Sequence, residues 1–331
     1  MIITRTPFRI SFFGGGTDYP AWFKYNGGNV ITTTIDKYCY ITCRKLPPFF
    51  SHKHRIAYSK IELVNSVDEI QHPSVKATFK YYKIADGLEV HHDGDLPARS
   101  GLGSSSSFTV SLVNTLSALR GQRLTKQNLA NIAIDIEQNI IKENVGSQDQ
   151  VATAYGGFNR INFYKDNTFH VEPIFFSTNR KKIFHSHLLL CFTGFSRIAS
   201  EIAASQISNF SKKENELRKI SSMVDIAQNI LQDESKNLDD FGYLLDDYWN
   251  YKKSLSDNVS NEFIDNIYKK AMNAGAFGGK ILGAGGGGFL LLYAKPEFHD
   301  GIKKALGNLI YVPFEFENSG STIALYEPQG F

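Results

Sequence analysis
The stretch DLPARSGLGSSSSFTVSLVNTLSAL, residues 95–119, decides how the chain is read. Pro97 ends the extended run before it, because proline fixes its own φ and removes a backbone donor. Gly101 and Gly103 flank Leu102 and give the backbone freedom, and Ser104, Ser105, Ser106 and Ser107 place hydroxyls where a helix leaves its first amides unpaired. Phe108, Val110, Leu112, Val113, Leu116 and Leu119 then form a broad apolar face, as expected of a core-facing helix. Such a helix aims its positive dipole end and several free N–H groups at one point, which suits an anion such as a nucleotide phosphate. A Walker A loop is excluded, since no lysine lies between Pro97 and Leu119.

Two further glycine segments bracket this loop. Residues 2–13 alternate as a strand that stops at Gly14-Gly15-Gly16-Thr17-Asp18-Tyr19-Pro20. The glycines permit a backbone excursion and deliver a carboxylate and a phenol, groups suited to sugar hydroxyls. Near the other end stands Lys280-Ile281-Leu282-Gly283-Ala284-Gly285-Gly286-Gly287-Gly288-Phe289. Its GxGxxG spacing is not a dinucleotide fingerprint, because FLLLY follows where that fold needs a helix.

PFRISFFGGGTDYP, Pro97-x-x-x-Gly-Leu-Gly-Ser-Ser and GAGGGGFLLLY, in this order, resemble the three motifs of the GHMP kinases, the superfamily of galactokinase, homoserine kinase and mevalonate kinase. The resemblance implies an α+β GHMP kinase fold. An N-terminal domain like ribosomal protein S5 domain 2 is expected over 1–176 and a ferredoxin-like C-terminal domain over 177–331, with the third motif as a glycine turn between a helix and a strand. It implies that Pro97, Gly101, Leu102, Gly103, Ser104, Ser105 and Ser106 hold ATP. Gly15, Gly16, Thr17, Asp18, Tyr19, Gly286 and Gly287 are expected at the acceptor. In galactokinases the first motif carries a Glu-His pair where this chain has glycines, and the glycine form resembles D-glycero-D-manno-heptose 7-phosphate kinases and fucokinase kinase domains. The implied activity is ATP-dependent phosphorylation of the anomeric hydroxyl of a heptose 7-phosphate; a fucokinase-like activity on a neutral hexose is the nearest alternative. A GHMP-fold decarboxylase and a non-catalytic sugar sensor are the readings from other classes.

Residues 125–141 predict a helix with Thr125 as cap and Leu129, Ile132, Ile136 and Ile140 on one stripe, with Glu137 beside it. A turn at Gly146 leads into GSQDQVATAYGG. By resemblance, Asp149 faces the acceptor hydroxyl with Arg9 opposing developing charge, and Glu137 with Ser105 holds Mg²⁺, an ion that takes few protein oxygens and keeps its waters. Lys37, Arg44 and Arg99 are candidates for a substrate phosphate, each equally readable as a solvated surface charge.

Composition limits the remaining classes. At 331 residues and 42% hydrophobic, the chain can bury a large core, and a net charge of +3 is too mild to argue for nucleic acid or a charged membrane surface, so neither is expected as a partner. No apolar run reaches membrane-spanning length, and MIITRTPFRISFF lacks the order of a signal peptide. Cys39, Cys43 and Cys191 are expected as reduced core thiols, and the protein as a cytoplasmic monomer or homodimer. His91 and His92 fall on opposite strand faces, which argues against a shared metal. His185 and His187 read as neighbours on a strand, and the charged run NRKK at 179–182 as a break in the apolar pattern.

Overall fold
The computed structural model describes residues 1–194 and 199–329. The first half runs β1 (Ile2–Phe13), α1 (Pro20–Asn26), β2 (Gly28–Lys45), β3 (His54–Ala57), β4 (Ile61–Val64), α2 (Pro73–Tyr81), β5 (Leu88–Gly94), α3 (Ser104–Leu119), α4 (Lys126–Ile134), α5 (Gln148–Tyr155), β6 (Phe158–Phe163) and β7 (Phe169–Pro173). There follow α6 (Thr178–Ser186), β8 (Leu188–Phe192), α7 (Ala199–Asn209), α8 (Glu214–Gln232), α9 (Asp239–Ser254), α10 (Glu262–Asn273), β9 (Gly278–Ile281), β10 (Phe289–Tyr293), α11 (His299–Leu306), β11 (Ile310–Tyr311), β12 (Phe316–Glu317) and β13 (Thr322–Tyr326).

The long antiparallel pair β1 and β2 is the spine of the larger sheet, whose order is β13-β1-β2-β5-β3-β4, with β6 and β12 also on β2. The β-branched residues of β2 pair in register with β1, Arg9 opposite Thr34 and Ile10 opposite Thr33. The smaller sheet, β11-β8-β10-β9, is antiparallel throughout. After β11 the chain returns to the first sheet: β12 pairs with β2, and β13 covers the edge of β1 that would otherwise offer unpaired amides. Phe184 joins the halves, its ring centroid 5.7 Å from Phe12, 4.8 Å from Phe241 and 5.8 Å from Tyr293.

Helix α3 is more deeply set than a one-faced helix requires. Residues 106–113 and 115–118 are all buried, because β1 and β2 cover one side and α2, α4 and α5 the others. Its hydroxyls are accordingly paired: Thr4 Oγ1 lies 2.6 Å from Ser111 Oγ and 2.7 Å from Thr115 Oγ1, and Tyr82 Oη lies 2.6 Å from Ser117 Oγ. Unpaired, each would cost about 1–3 kcal/mol.

Three local expectations are corrected. The NRKK run lies inside α6, capped by the Ser177 hydroxyl, and Arg180 is buried, donating to the carbonyls of Ile230 and Leu231 at the end of α8 and to that of Lys236. His185 lies in the last turn of that helix and His187 follows it, so they share no strand. The third glycine segment turns between two strands, β9 and β10, rather than between a helix and a strand. The three cysteines are buried thiols, and among the described residues no helix is long and apolar enough to cross a membrane.

Candidate active site
The glycine segments are explained by one another. Gly101 adopts φ +87°, and a Cβ there would strike the Leu282 carbonyl; one on Gly283 would lie 2.8 Å from the Gly101 Cα, and one on Gly288 would strike the Ser100 carbonyl. Phe289 N donates to that carbonyl at 3.0 Å. The third segment therefore backs the loop before α3, two backbones packed without side chains between them.

Gly103 caps α3 in the left-handed region at φ +74° and offers no side chain to cap it, and among the described residues no side chain takes the helix's leading amides. They are left for a ligand, and negative charge is favoured there. Ser104 Oγ accepts from Arg99 N at 3.0 Å, which pins the loop from outside.

Facing this helix end, Arg9 on β1 holds Asp149 in the first turn of α5. Arg9 Nε donates to Oδ1 and Nη2 to Oδ2, both at 2.7 Å, and Nη1 donates to the Gly101 carbonyl at 2.7 Å. A bidentate pair of this kind fixes the carboxylate's orientation as well as its charge. Across the cavity, the buried Asp18 carboxylate accepts from Gly16 N at 2.9 Å and Gln148 N at 3.4 Å. Burial raises its pKa, and the nearby Asp149 charge adds to that. The cavity between them, about 130 Å³, is walled by Arg9, Gly16, Asp18, Tyr19, Arg99, Gly101, Ser104 to Ser106, Gly146, Asp149, Lys252 and Gly283 among others. A larger cleft of about 690 Å³ around Phe49 and Phe50 contains none of these groups.

Glu137 sits behind the loop. The helix begun as α4 continues as a π-turn over Asp135–Ile140, with Ile141 N donating to the Ile136 carbonyl at 2.8 Å. The wider turn shifts the phase, so Glu137 is fully buried while Ile140, expected on the apolar stripe, is 42% exposed. Glu137 Oε2 accepts from Ser106 Oγ at 2.9 Å and from Gln150, and among the described residues Oε1 meets no partner in hydrogen-bond geometry; burial pushes the carboxyl up to about 7, against the lowering by the nearby Thr109, Gln150 and Ser106 side chains. Among the described residues no group of three or more His, Cys, Asp or Glu forms a metal cluster. An unpartnered carboxylate oxygen linked to a serine at the cavity wall is nonetheless a hard-oxygen donor set that fits magnesium. The serine that touches Glu137 is Ser106, whereas Ser105 is exposed on the cavity.

The sequence-derived residues divide by place. Arg9, Asp149, Asp18, Tyr19, Gly16, Gly101, Gly103, Ser104, Ser105, Ser106 and Arg99 meet at the cavity. Gly15 borders it through its carbonyl, while Thr17 is occupied inside the first loop, donating to the Gly14 carbonyl at 2.8 Å. Leu102 is core and Pro97 exposed, so their part is to shape the loop. Gly286 and Gly287 are off the cavity wall, where Gly283 and Ala284 stand instead. Lys37 pairs with Asp36 and Arg44 with Glu89, away from the cavity. Sequence reading missed Gly146, Gln148 and Lys252. Lys252 sits in the polar-looking run 250–253, and only its apolar neighbours Tyr248 and Trp249 hinted that this turn of α9 faces inward.

An unclaimed helix N-terminus facing an arginine-held aspartate, in a cleft backed by a glycine turn from the second half, is an arrangement that suits phosphoryl transfer to a small molecule. The family profile for the GHMP kinases N terminal domain matches residues 70–157, and that for GHMP kinases C terminal matches residues 223–308. The chain belongs to the GHMP kinase superfamily, and is accordingly an ATP-dependent small-molecule kinase. It is 29% identical over 321 residues to the D-glycero-alpha-D-manno-heptose 7-phosphate kinase of Campylobacter jejuni, across 92% of this chain and 93% of that one. It is 22% identical to the bifunctional fucokinase/GDP-fucose pyrophosphorylase of Arabidopsis thaliana over 87% of this chain and 29% of that longer protein. The crystal structure of a D-glycero-D-manno-heptose 1-phosphate kinase from Bacteroides thetaiotaomicron shares the fold, with a TM-score of 0.79 over 97% of this chain and 98% of that one at 23% identity.

Proposed function
We propose that this kinase transfers the γ-phosphoryl group of ATP to the anomeric hydroxyl of a D-glycero-D-manno-heptose 7-phosphate, giving the 1,7-bisphosphate. The observation that carries the chemistry is the bidentate Arg9–Asp149 pair set against the open end of α3. The choice of sugar is supported by the near full-length similarity to the Campylobacter enzyme and by the Gly15-Gly16 form of the first loop.

In this reading the amides of Gly101 to Ser106 receive the nucleotide phosphates. Asp18 and Tyr19 take sugar hydroxyls. Asp149 accepts the proton of the anomeric hydroxyl as its oxygen bonds to the γ-phosphorus, and the bond to the β-phosphate oxygen breaks with its electron pair leaving on ADP. Arg9 keeps Asp149 aimed through its bidentate contact, and opposes the charge that spreads over the transferring group, since such transfers rest on positioning and electrostatics. Glu137 with Ser105 or Ser106 would hold Mg²⁺, which when bound neutralises phosphate charge.

Residues 1–176, joined by the returning strands β12 and β13, would form the nucleotide-binding half and the rest of 177–331 the half that closes it, in a monomer or homodimer working in the cytoplasm. A fucokinase-like use of a neutral hexose is the second reading, favoured by the similarity to the plant enzyme. ADP release measured across phosphorylated and neutral sugars separates the two.

A further inference from the structure
The two glycines that replace larger side chains in the first loop have specific neighbours. A Cβ on Gly15 would lie 3.1 Å from the Tyr248 hydroxyl, and one on Gly16 would lie 3.2 Å from Leu217 Cδ2 and 3.7 Å from Lys252 Nζ. Tyr248 and Lys252 are one turn apart on α9, and both are buried. The space next to positions 15 and 16 is therefore filled from the second half of the chain.

Lys252 lines the cavity together with Arg9, Asp18 and Asp149 while only 3% exposed. Its ammonium donates to the Gly15 carbonyl at 3.1 Å and to Gln206 Oε1 at 2.9 Å, and Gln206 in turn donates to the Ala284 carbonyl at 2.7 Å. Both acceptors are neutral. An ammonium has three N–H groups, so among the described residues one is left over. Buried charges are stable when paired with an opposite charge; among the described residues this one hydrogen-bonds only to carbonyl-type oxygens, with the Asp18 carboxylate near enough to act on it but not bonded to it. Burial lowers the lysine to about 8, with Asp18 acting against that shift. A buried cation held in place by two neutral oxygens, with a free donor in the reaction cavity, is poised for an anionic oxygen brought by a ligand.

We propose that Lys252 is the acceptor-specificity residue of this enzyme, its ammonium binding a phosphate oxygen of the sugar substrate from α9, beside loop positions that carry no side chain. Gln206 is a positioning residue that holds the ammonium. The assignment rests on the reading of this kinase as one for sugar phosphates.

The test compares kcat/KM for heptose 7-phosphate with that for the same sugar lacking the phosphate, in the parent and in Lys252→Met. The expected result is a fall of about 30-fold or more in the ratio of the two, carried by KM rather than kcat, with Lys252→Arg recovering part of it. Equal losses on both acceptors, or none, overturn the assignment and leave Lys252 as a support for the loop. If Lys252→Met does not fold, Gln206→Leu carries the same comparison: a selective loss on the phosphorylated sugar supports the assignment, and an equal loss or none overturns it. A parent enzyme that prefers the neutral sugar overturns the functional reading by itself, before any variant is compared.

Discussion
Gly146 packs so closely on Asp18 that a methyl group added to Gly146 would occupy the place of the Asp18 carboxylate oxygen Oδ2. The contact joins the turn before α5 to the first glycine loop, and the Ser147 amide donates to the Asp18 carbonyl at 2.9 Å in the same place. Gly146 is thus a glycine for lack of room, and its backbone lies outside the left-handed region that strains other residues.

Gly146→Ala is expected to displace Asp18 from the cavity. The acceptor KM should rise by about tenfold or more, and stability should fall by about 1–3 kcal/mol as for other overpacked sites. Steady-state kinetics with the acceptor varied at saturating ATP gives the answer. An unchanged acceptor KM would remove Asp18 from sugar recognition.

Asp149→Asn keeps the shape of the side chain but gives up its charge and its capacity to take a proton. The expected loss is about 10² to 10⁴ in kcat, with ATP affinity retained by calorimetry. Retention of more than about half the parental kcat would exclude Asp149 as the group that receives the hydroxyl proton.

Local chemistry made much of this legible. The strand into Gly14, the glycine-serine entry to α3 and the glycine run before Phe289 are signalled by neighbours in sequence, and the structure brings all three together. What stayed hidden depends on partners far along the chain. Nothing near Gly146 announces Asp18, and nothing near Lys252 announces the Gly15 carbonyl. Lys37 and Arg44 stood out for being close to a motif in sequence, yet their carboxylate partners lie on their own strand or the next one. Arg180 read as part of a charged break in the apolar pattern because its partners, the last carbonyls of α8, come about 50 residues later. A uniform helical period also could not foresee the π-turn that buries Glu137 and exposes Ile140.

Lys252 also gives the fold a pH dependence with a definite sign. Its pKa falls from an ordinary 10.5 to about 8 on folding, because burial disfavours the ammonium. Between those values the unfolded chain holds the proton and the folded chain does not, so stability rises with pH across the window and the penalty returns in full below about 8. The span is about 3 kcal/mol. Urea unfolding of the ligand-free parent and Lys252→Met at pH 8 and pH 10 should show the parent gaining stability relative to the variant. Parallel behaviour would mean that Lys252 is not a buried ammonium.

Transfer of the γ-phosphoryl group from ATP to the anomeric oxygen of a sugar that already carries a phosphate is read most directly from the product. Phosphorus NMR locates the ester formed from ATP and heptose 7-phosphate, with kcat/KM measured beside it for fucose, galactose and mannose. A second phosphate ester is expected on the anomeric carbon, with one ADP per ester and heptose 7-phosphate as the preferred acceptor. A neutral hexose preferred by more than about tenfold, equal to about 1.4 kcal/mol in transition-state binding, or a new ester at any other carbon, would refute the proposed reaction.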